Sequence, residues 1–280
     1  MRGRKLRGRI FRALMYLSIA VAIGALGWLL TSTFLDGLPA LNKKLFANPP
    51  SSLPEEAGAR PAILATLYIA VLLLGLAVPI GVATSVYLEE YANKDRWYNR
   101  LLEVNIQNLA AVPAIVYGIL GLAFIVRGIG LGRVLFAGAM ILTLVVLPTV
   151  IIASREAIRS VPSSIRQGGY ALGATQWQVI SRQVLPAAIP GIATGSILAL
   201  SRAVGETAPL LLIGALTYVA FDPSIFSPFT ALPVQIYTWV KLPDAKFHEL
   251  AAAAIIVLLA IVLSLNAVAI FLRNRFRQNW

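Results

Sequence analysis

Long apolar runs separated by short polar connections dominate this chain. Four of them carry no charge at all: about Ala13–Leu35, Ala62–Tyr87, Val134–Ala153 and Ala251–Leu272. A fifth, about Ile189–Leu216, is interrupted only by Arg202 and Glu206. A sixth, about Val104–Val126, is softer, because Asn105, Gln107, Asn108 and Pro113 break its start. Each is about 20 residues or longer, and at ~1.5 Å of rise per residue a helix of that length crosses a ~30 Å hydrocarbon core. The pattern predicts an all-α integral membrane protein with six transmembrane helices.

Composition agrees: 58% of the 280 residues are hydrophobic and 13% are charged, against about a quarter charged in soluble domains. The net charge of +12 would suggest nucleic acid in a soluble protein, but here its placement reports orientation. Sixteen basic residues fall on one side: the N-terminal tail (Arg2, Arg4, Lys5, Arg7, Arg9, Arg12), the second connection (Lys94, Arg96, Arg100), the fourth (Arg155, Arg159, Arg166, Arg182) and the C-terminal tail (Arg273, Arg275, Arg277). Seven fall on the other: Lys43, Lys44, Arg60, Arg127, Arg133, Lys241 and Lys246. Cytoplasmic segments are the basic ones, so both termini are expected inside, which an even number of spans requires. The basic tail also suits anionic lipid. The first apolar run exceeds the ~7–15 residues of a signal peptide and no small-x-small site follows Leu35, so a retained span is expected. The absence of cysteine excludes disulfides and thiolate metal sites. His248 has no cluster around it and reads as a membrane-boundary residue.

The chain divides into a basic tail and first helix (1–35), an external proline-rich loop (36–61), a five-helix core (62–272) and a cytoplasmic tail (273–280). Gly128 to Gly132 predict a tight external turn, since three glycines ease chain reversal. The external segment 217–250 contains Val234–Val240, expected as a short interfacial helix with Tyr237 and Trp239 at headgroup level. The internal connection 154–188 is too long for a turn. Its breakers Pro162, Gly168, Gly169 and Gly173 predict two short helices side by side at the membrane surface, and long loops are uncommon unless they act.

An ionisable group inside a span is costly and points to an ion or substrate path. Arg202 and Glu206, four apart, share a helix face and can pair. A guanidinium matches an oxyanion with a planar fork of donors. Two roles follow: Arg202 meets a passing anion and Glu206 resets it, or the two form a fixed structural pair. Ser201 and Thr207 add hydroxyls nearby, though such groups often bond their own helix backbone.

The fourth connection also carries a motif. Gly173-Ala174-Thr175-Gln176-Trp177, then Val184-Leu185-Pro186 and Ile189-Pro190-Gly191, resembles the EAA loop of ABC importer permeases. Gly173, Leu185 and Pro186 match in spacing; Gln167, Gly168 and Gly169 stand where that family has Glu-Ala-Ala, and Gln183 stands where isoleucine is usual. Further stretches, including Tyr87-Leu88-Glu89-Glu90-Tyr91-Ala92, Val112-Pro113-Ala114-Ile115-Val116-Tyr117-Gly118, Leu232-Pro233-Val234-Gln235-Ile236-Tyr237 and above all Arg202-Ala203-Val204-Gly205-Glu206-Thr207-Ala208-Pro209, resemble the PstA-type permeases of phosphate importers over about residues 62–272.

The resemblance implies a type I ABC importer permease fold and a pore shared with a homologous PstC-type permease. It further implies two copies of a cytoplasmic ATPase docked on the loop of Gln167, Gly168, Gly169, Gly173, Ala174, Leu185 and Pro186, and an external phosphate-binding protein. No phosphate-binding Gly-x-x-x-x-Gly-Lys-Ser/Thr loop occurs, so ATP and magnesium are expected in the ATPase partner and no catalytic site or cofactor in this chain. A permease for sulfate, molybdate or phosphonate shares the anionic logic. An ion-coupled secondary transporter, the reading from another class, is expected to show more buried ionisable groups and a site built from broken helices.

Overall fold

The computed structural model describes residues 2–93, 95–215 and 218–275, and among them every regular element is helical. Lys94, Leu216, Thr217 and the chain after Arg275, where part of the basic count, the expected end of the fifth span and most of the C-terminal tail fall, lie outside the described residues. The order is α1 (Arg2–Gly37), α2 (Lys43–Ala47), α3 (Arg60–Val86), α4 (Trp97–Ala111), α5 (Ala114–Gly121), α6 (Leu135–Arg159), α7 (Ser163–Ala171), α8 (Gln176–Val179), α9 (Leu185–Val204), α10 (Ala208–Leu212), α11 (Leu232–Val240) and α12 (Ala245–Arg275). Wider π-helical turns extend α3 over Tyr87–Tyr91, extend α5 over Leu122–Gly128, and join α8 to α9 over Ile180–Val184.

Among the described residues, five helical segments are long and apolar enough to cross a membrane: Gly8–Ala40, Arg60–Tyr91, Leu135–Arg159, Gln176–Val204 and Ala245–Arg275. The sixth crossing is not a straight helix. α4 and the α5 segment Ala114–Gly128 meet at 102°. Pro113 has no N–H to continue the ladder, and it holds Val112 extended at φ −68°, ψ 130°. The softness of this run in the sequence is therefore a real break.

α6 is the centre: 61% of its apolar stretch is buried inside the protein, against none for α1 and 6% for α12. It packs between α3 and α9, while α1 leans on α12. Apolar burial drives little between helices already in lipid, so close backbone approach and interhelical hydrogen bonds matter more. Small residues provide that approach. A Cβ on Gly195 would sit 2.4 Å from Ala153 Cβ, and one on Gly191 would sit 2.7 Å from Ala157 Cβ. Across the other face, the Ser85 hydroxyl lies 2.9 Å from the Ile151 carbonyl.

External loops close the outer end. The first N–H groups of α6 donate to the Ser227 and Ile225 carbonyls at 3.0 and 2.9 Å, which satisfies donors that a helix start leaves free. Arg60 pairs with Asp222 at 2.7 Å, and Lys246 pairs with Glu55. The Lys246 hydrogen bond holds the Glu55 carboxyl below its ordinary value, so that pair is intact at neutral pH and is lost as pH falls through the lowered value.

Two expectations change. Trp239 is fully buried beside Leu232 and Phe247 in the α2–α11–α12 cluster instead of facing headgroups, because α11 packs against α12; Tyr237 remains exposed under Lys241, whose Nζ is 4.0 Å from the ring centre. In the loop 154–188, α7 is a separate short helix, but α8 runs on into α9. The π-helical turn Ile180–Val184 carries the helix on to Pro186, which stands in the first turn of α9.

Gly195→Val should therefore lower stability by about 1–3 kcal/mol or more, as overpacking does; a thermal midpoint in detergent no lower than that of the unaltered protein would contradict the α6–α9 contact.

Candidate functional site

The outer end of α9 is where helical continuity fails. α9 stops at Val204, Gly205 takes the cap, and Pro209 restarts the chain in the first turn of α10. Arg202 therefore sits in the last turn of α9, and Glu206 lies just beyond the helix, its N–H donating to the Ala203 carbonyl at 3.0 Å. The two do not face each other as i and i+4 of one helix, and among the described residues they form no ion pair with each other. The cap at Gly205 turns the backbone before the second residue is reached.

Instead both line one cavity of about 180 Å³. Its other walls are Val112 and its neighbours at the α4–α5 break, together with Val145, Val146, Thr149 and Ala199 on α6 and α9. The site is thus set by two interruptions brought together, the bend at Pro113 and the cap at Gly205. Tyr117 braces the bend, its hydroxyl donating to the Leu109 carbonyl near the end of α4 at 2.9 Å. Gly118 lets α5 approach α10: a Cβ there would meet Pro209 Cα at 2.8 Å. The first turn of α5, where N–H groups lack intrahelical partners and carry partial positive charge, opens on the same space as the Arg202 guanidinium. The cavity thus brings one cationic and one anionic side chain to the same space.

Ser201 points elsewhere. Its hydroxyl donates to Asn266 Oδ1 of α12 at 2.8 Å, tying α9 to α12. Thr207 is half-buried at the start of α10 and does not cap it with its side chain. Neither lines the cavity.

The second region is the loop at the inner end. Gly173 adopts φ +77°, a left-handed conformation that favours glycine, and makes the turn between α7 and α8. Ala174 follows half-buried, its N–H donating to the Gly169 carbonyl at 3.1 Å. Gly169 is buried where a Cβ would meet Val179 and Gln183, each at 2.8 Å. Gln167 and Gly168 are exposed on α7; Leu185 and Pro186 are half-buried at the start of α9. Thr175 and Gln178 form a reciprocal cap that starts α8. Sequence reasoning missed the apolar tip of this loop. Leu172 is 87% exposed, with Tyr170 and Trp177 exposed beside it; the available signal was large apolar residues flanking a glycine turn in a polar loop.

Among the described residues, six crossings, one of them broken, with a helical loop on the basic side give the architecture of a multi-pass membrane permease of the type I ABC importer fold. The family model described as binding-protein-dependent transport system inner membrane component matches residues 77–278, and the chain belongs to that family. It is 32% identical over 275 residues to the phosphate transport system permease protein PstA 1 of Mycobacterium tuberculosis, covering 96% of this chain and 90% of that one. It is 30% identical over 262 residues to a probable phosphate transport system permease protein PstA of Methanocaldococcus jannaschii, covering 94% and 92%. Among solved structures, a bacterial ABC transporter involved in import of the acidic polysaccharide alginate superposes with a TM-score of 0.62 at 19% identity, over 94% of this chain and 96% of that one. A broken span was the mark expected of an ion-coupled carrier. It occurs here in an importer permease, so broken helices do not separate the two classes.

Because Ser201 serves the α9–α12 contact, Ser201→Ala should cost about 0.6 kcal/mol, as interhelical hydrogen bonds in membranes do, and leave transport within about twofold; a severe transport loss with normal stability would place Ser201 on the path after all.

Proposed function

We propose that this chain is the permease subunit of an ATP-driven importer that carries inorganic phosphate into the cytoplasm. The observation that carries the reading is Arg202 at a confined cavity between two helix breaks. Each water occupies about 30 Å³ in the liquid, so about 180 Å³ accommodates one small oxyanion with a few waters. The guanidinium recognises phosphate oxygens through paired donors and keeps its charge at any working pH. Glu206, on the same cavity, opposes anion binding and so limits how long the ion stays. The phosphate-transport names of the relatives support the substrate.

The remaining assembly follows from the same reading. A homologous PstC-type permease completes the pore in the cytoplasmic (inner) membrane, and an external phosphate-binding protein delivers the ion. Two copies of a cytoplasmic ATPase hold ATP and magnesium. The exposed Leu172, Tyr170 and Trp177 around the Gly173 turn supply an apolar knob for a groove on that ATPase, flanked by Gln167 and Gly168.

Uptake of labelled phosphate and sulfate by cells carrying the chain tests the substrate. Arg202→Ala should lower phosphate uptake about 10-fold or more, since charge-assisted hydrogen bonds contribute about 1.5–3 kcal/mol, while membrane levels stay normal. Arg202→Lys should also impair it. Uptake of sulfate alone by the unaltered chain would favour the other-oxyanion reading; unchanged phosphate uptake in both variants would remove Arg202 from the path.

Leu172→Asp places a charge on the apolar knob. It should abolish co-purification of the ATPase without altering insertion, and retained co-purification would show that the ATPase grips the loop elsewhere.

A further inference from the structure

The inner end of α3 carries two adjacent carboxylates, Glu89 and Glu90, on the π-helical turn Tyr87–Tyr91. Both side chains are almost fully buried, at 5% and 7% exposure. Neighbouring helix positions point roughly 100° apart, and the two serve different partners. Glu89 faces α6: Arg155 and Arg159 both reach its Oε1 at 2.8 Å, and Arg155 also reaches Glu103 of α4 at 2.6 Å. Glu90 faces the loop. Arg166 of α7 donates to its Oε1 from Nη2 at 2.7 Å and from Nε at 3.1 Å. Gln176 of α8 donates to the Glu90 backbone carbonyl at 2.6 Å.

Arg166 is fully engaged. Its Nη1 donates to the Val161 carbonyl just past α6 at 2.7 Å, and its Nη2 also donates to the Ile158 carbonyl in the last turn of α6 at 3.0 Å. One side chain thereby fastens α7, the end of α6 and α3. Beneath it, Val86 of α3 packs in an apolar cluster with Ile158, Val179, Ile180 and Val184. The loop continues covalently into α6 and α9. It has no direct covalent link to α3, which packs along α6.

We propose that Glu90, with Arg166 and Gln176, is a clamp that makes α3 follow the loop, so that displacement of the loop by the ATPase reaches α3 as well as α6 and α9. These are positioning residues. They touch neither the transported ion nor the Arg202 cavity, and the clamp stays closed throughout the cycle. The proposal rests on the importer reading above and extends it to the path by which force enters the bundle.

The test uses the complete reconstituted transporter in liposomes, with ion uptake and ATP hydrolysis measured on the same sample. Whichever oxyanion the unaltered complex carries serves as the transported ion, so a wrong substrate and a wrong clamp give different results. Glu90→Gln keeps the shape and removes the charge; it should lower ions carried per ATP about 10-fold with hydrolysis within about twofold. A second variant, Glu90→Cys with Arg166→Cys, exploits the absence of native cysteine in this chain, in a complex whose other subunits lack reactive thiols. It should be uncoupled in the same way, and a short reversible thiol cross-linker bridging the pair should restore uptake. Restoration in the same folded sample separates coupling from folding. Unchanged ions per ATP in Glu90→Gln would overturn the clamp, as would a cross-link that lowers uptake further, because the pair would then have to open. A proportional fall of uptake and hydrolysis that the cross-link does not repair would also overturn it, leaving the pair a purely structural tie.

Discussion

In hydrocarbon no water is available to a free N–H or C=O, so every backbone polar group has to be satisfied by the protein. Most of this chain obeys by forming long continuous helices. The places where it does not obey are therefore the informative ones. At the α4–α5 bend the Tyr117 hydroxyl takes up the Leu109 carbonyl; at the start of α6 the loop carbonyls of Ile225 and Ser227 take up the first N–H groups. Beyond α9 the chain turns at Gly205 and restarts at α10. The bend and the Gly205 cap meet at one cavity, and Arg202 stands there. Breaks tolerated only beside a polar space are what a transport path requires.

Charge is partitioned with the same economy. Outer pairs, Arg60 with Asp222 and Lys246 with Glu55, are exposed to solvent, and such pairs contribute little to stability. Inner pairs around Arg155, Glu89 and Glu90 are largely buried, where losing one partner strands a charge and is costly. The asymmetry suits the two ends: the outer end has to receive, and the inner end has to transmit without yielding.

Much of the architecture was legible because a membrane makes hydropathy decisive. Runs of apolar residues marked the crossings, Pro113 and the amides around it marked the one that breaks, and the glycines 130, 132 and 173 marked turns that adopt positive φ. What stayed hidden depended on distance in sequence. Nothing near Trp239 reveals that α12 covers it. Nothing near Ser201 reveals Asn266, 65 residues away. The i, i+4 spacing of Arg202 and Glu206 suggested a helical pair, but a single glycine cap between them redirected both to a cavity whose far wall comes from α4 and α5.

The first helix shows what little the fold asks of some of its length. None of the apolar stretch of α1 is buried, and it leans chiefly on α12, closely where a Cβ on Gly37 would sit 2.7 Å from the Ala253 N. Within this chain the crossing point at Gly37 is what has to stay small, and the rest of α1 offers an apolar face outwards, so the rim of the molecule is a surface for lipid or a second subunit while its fixed packing lies at the centre.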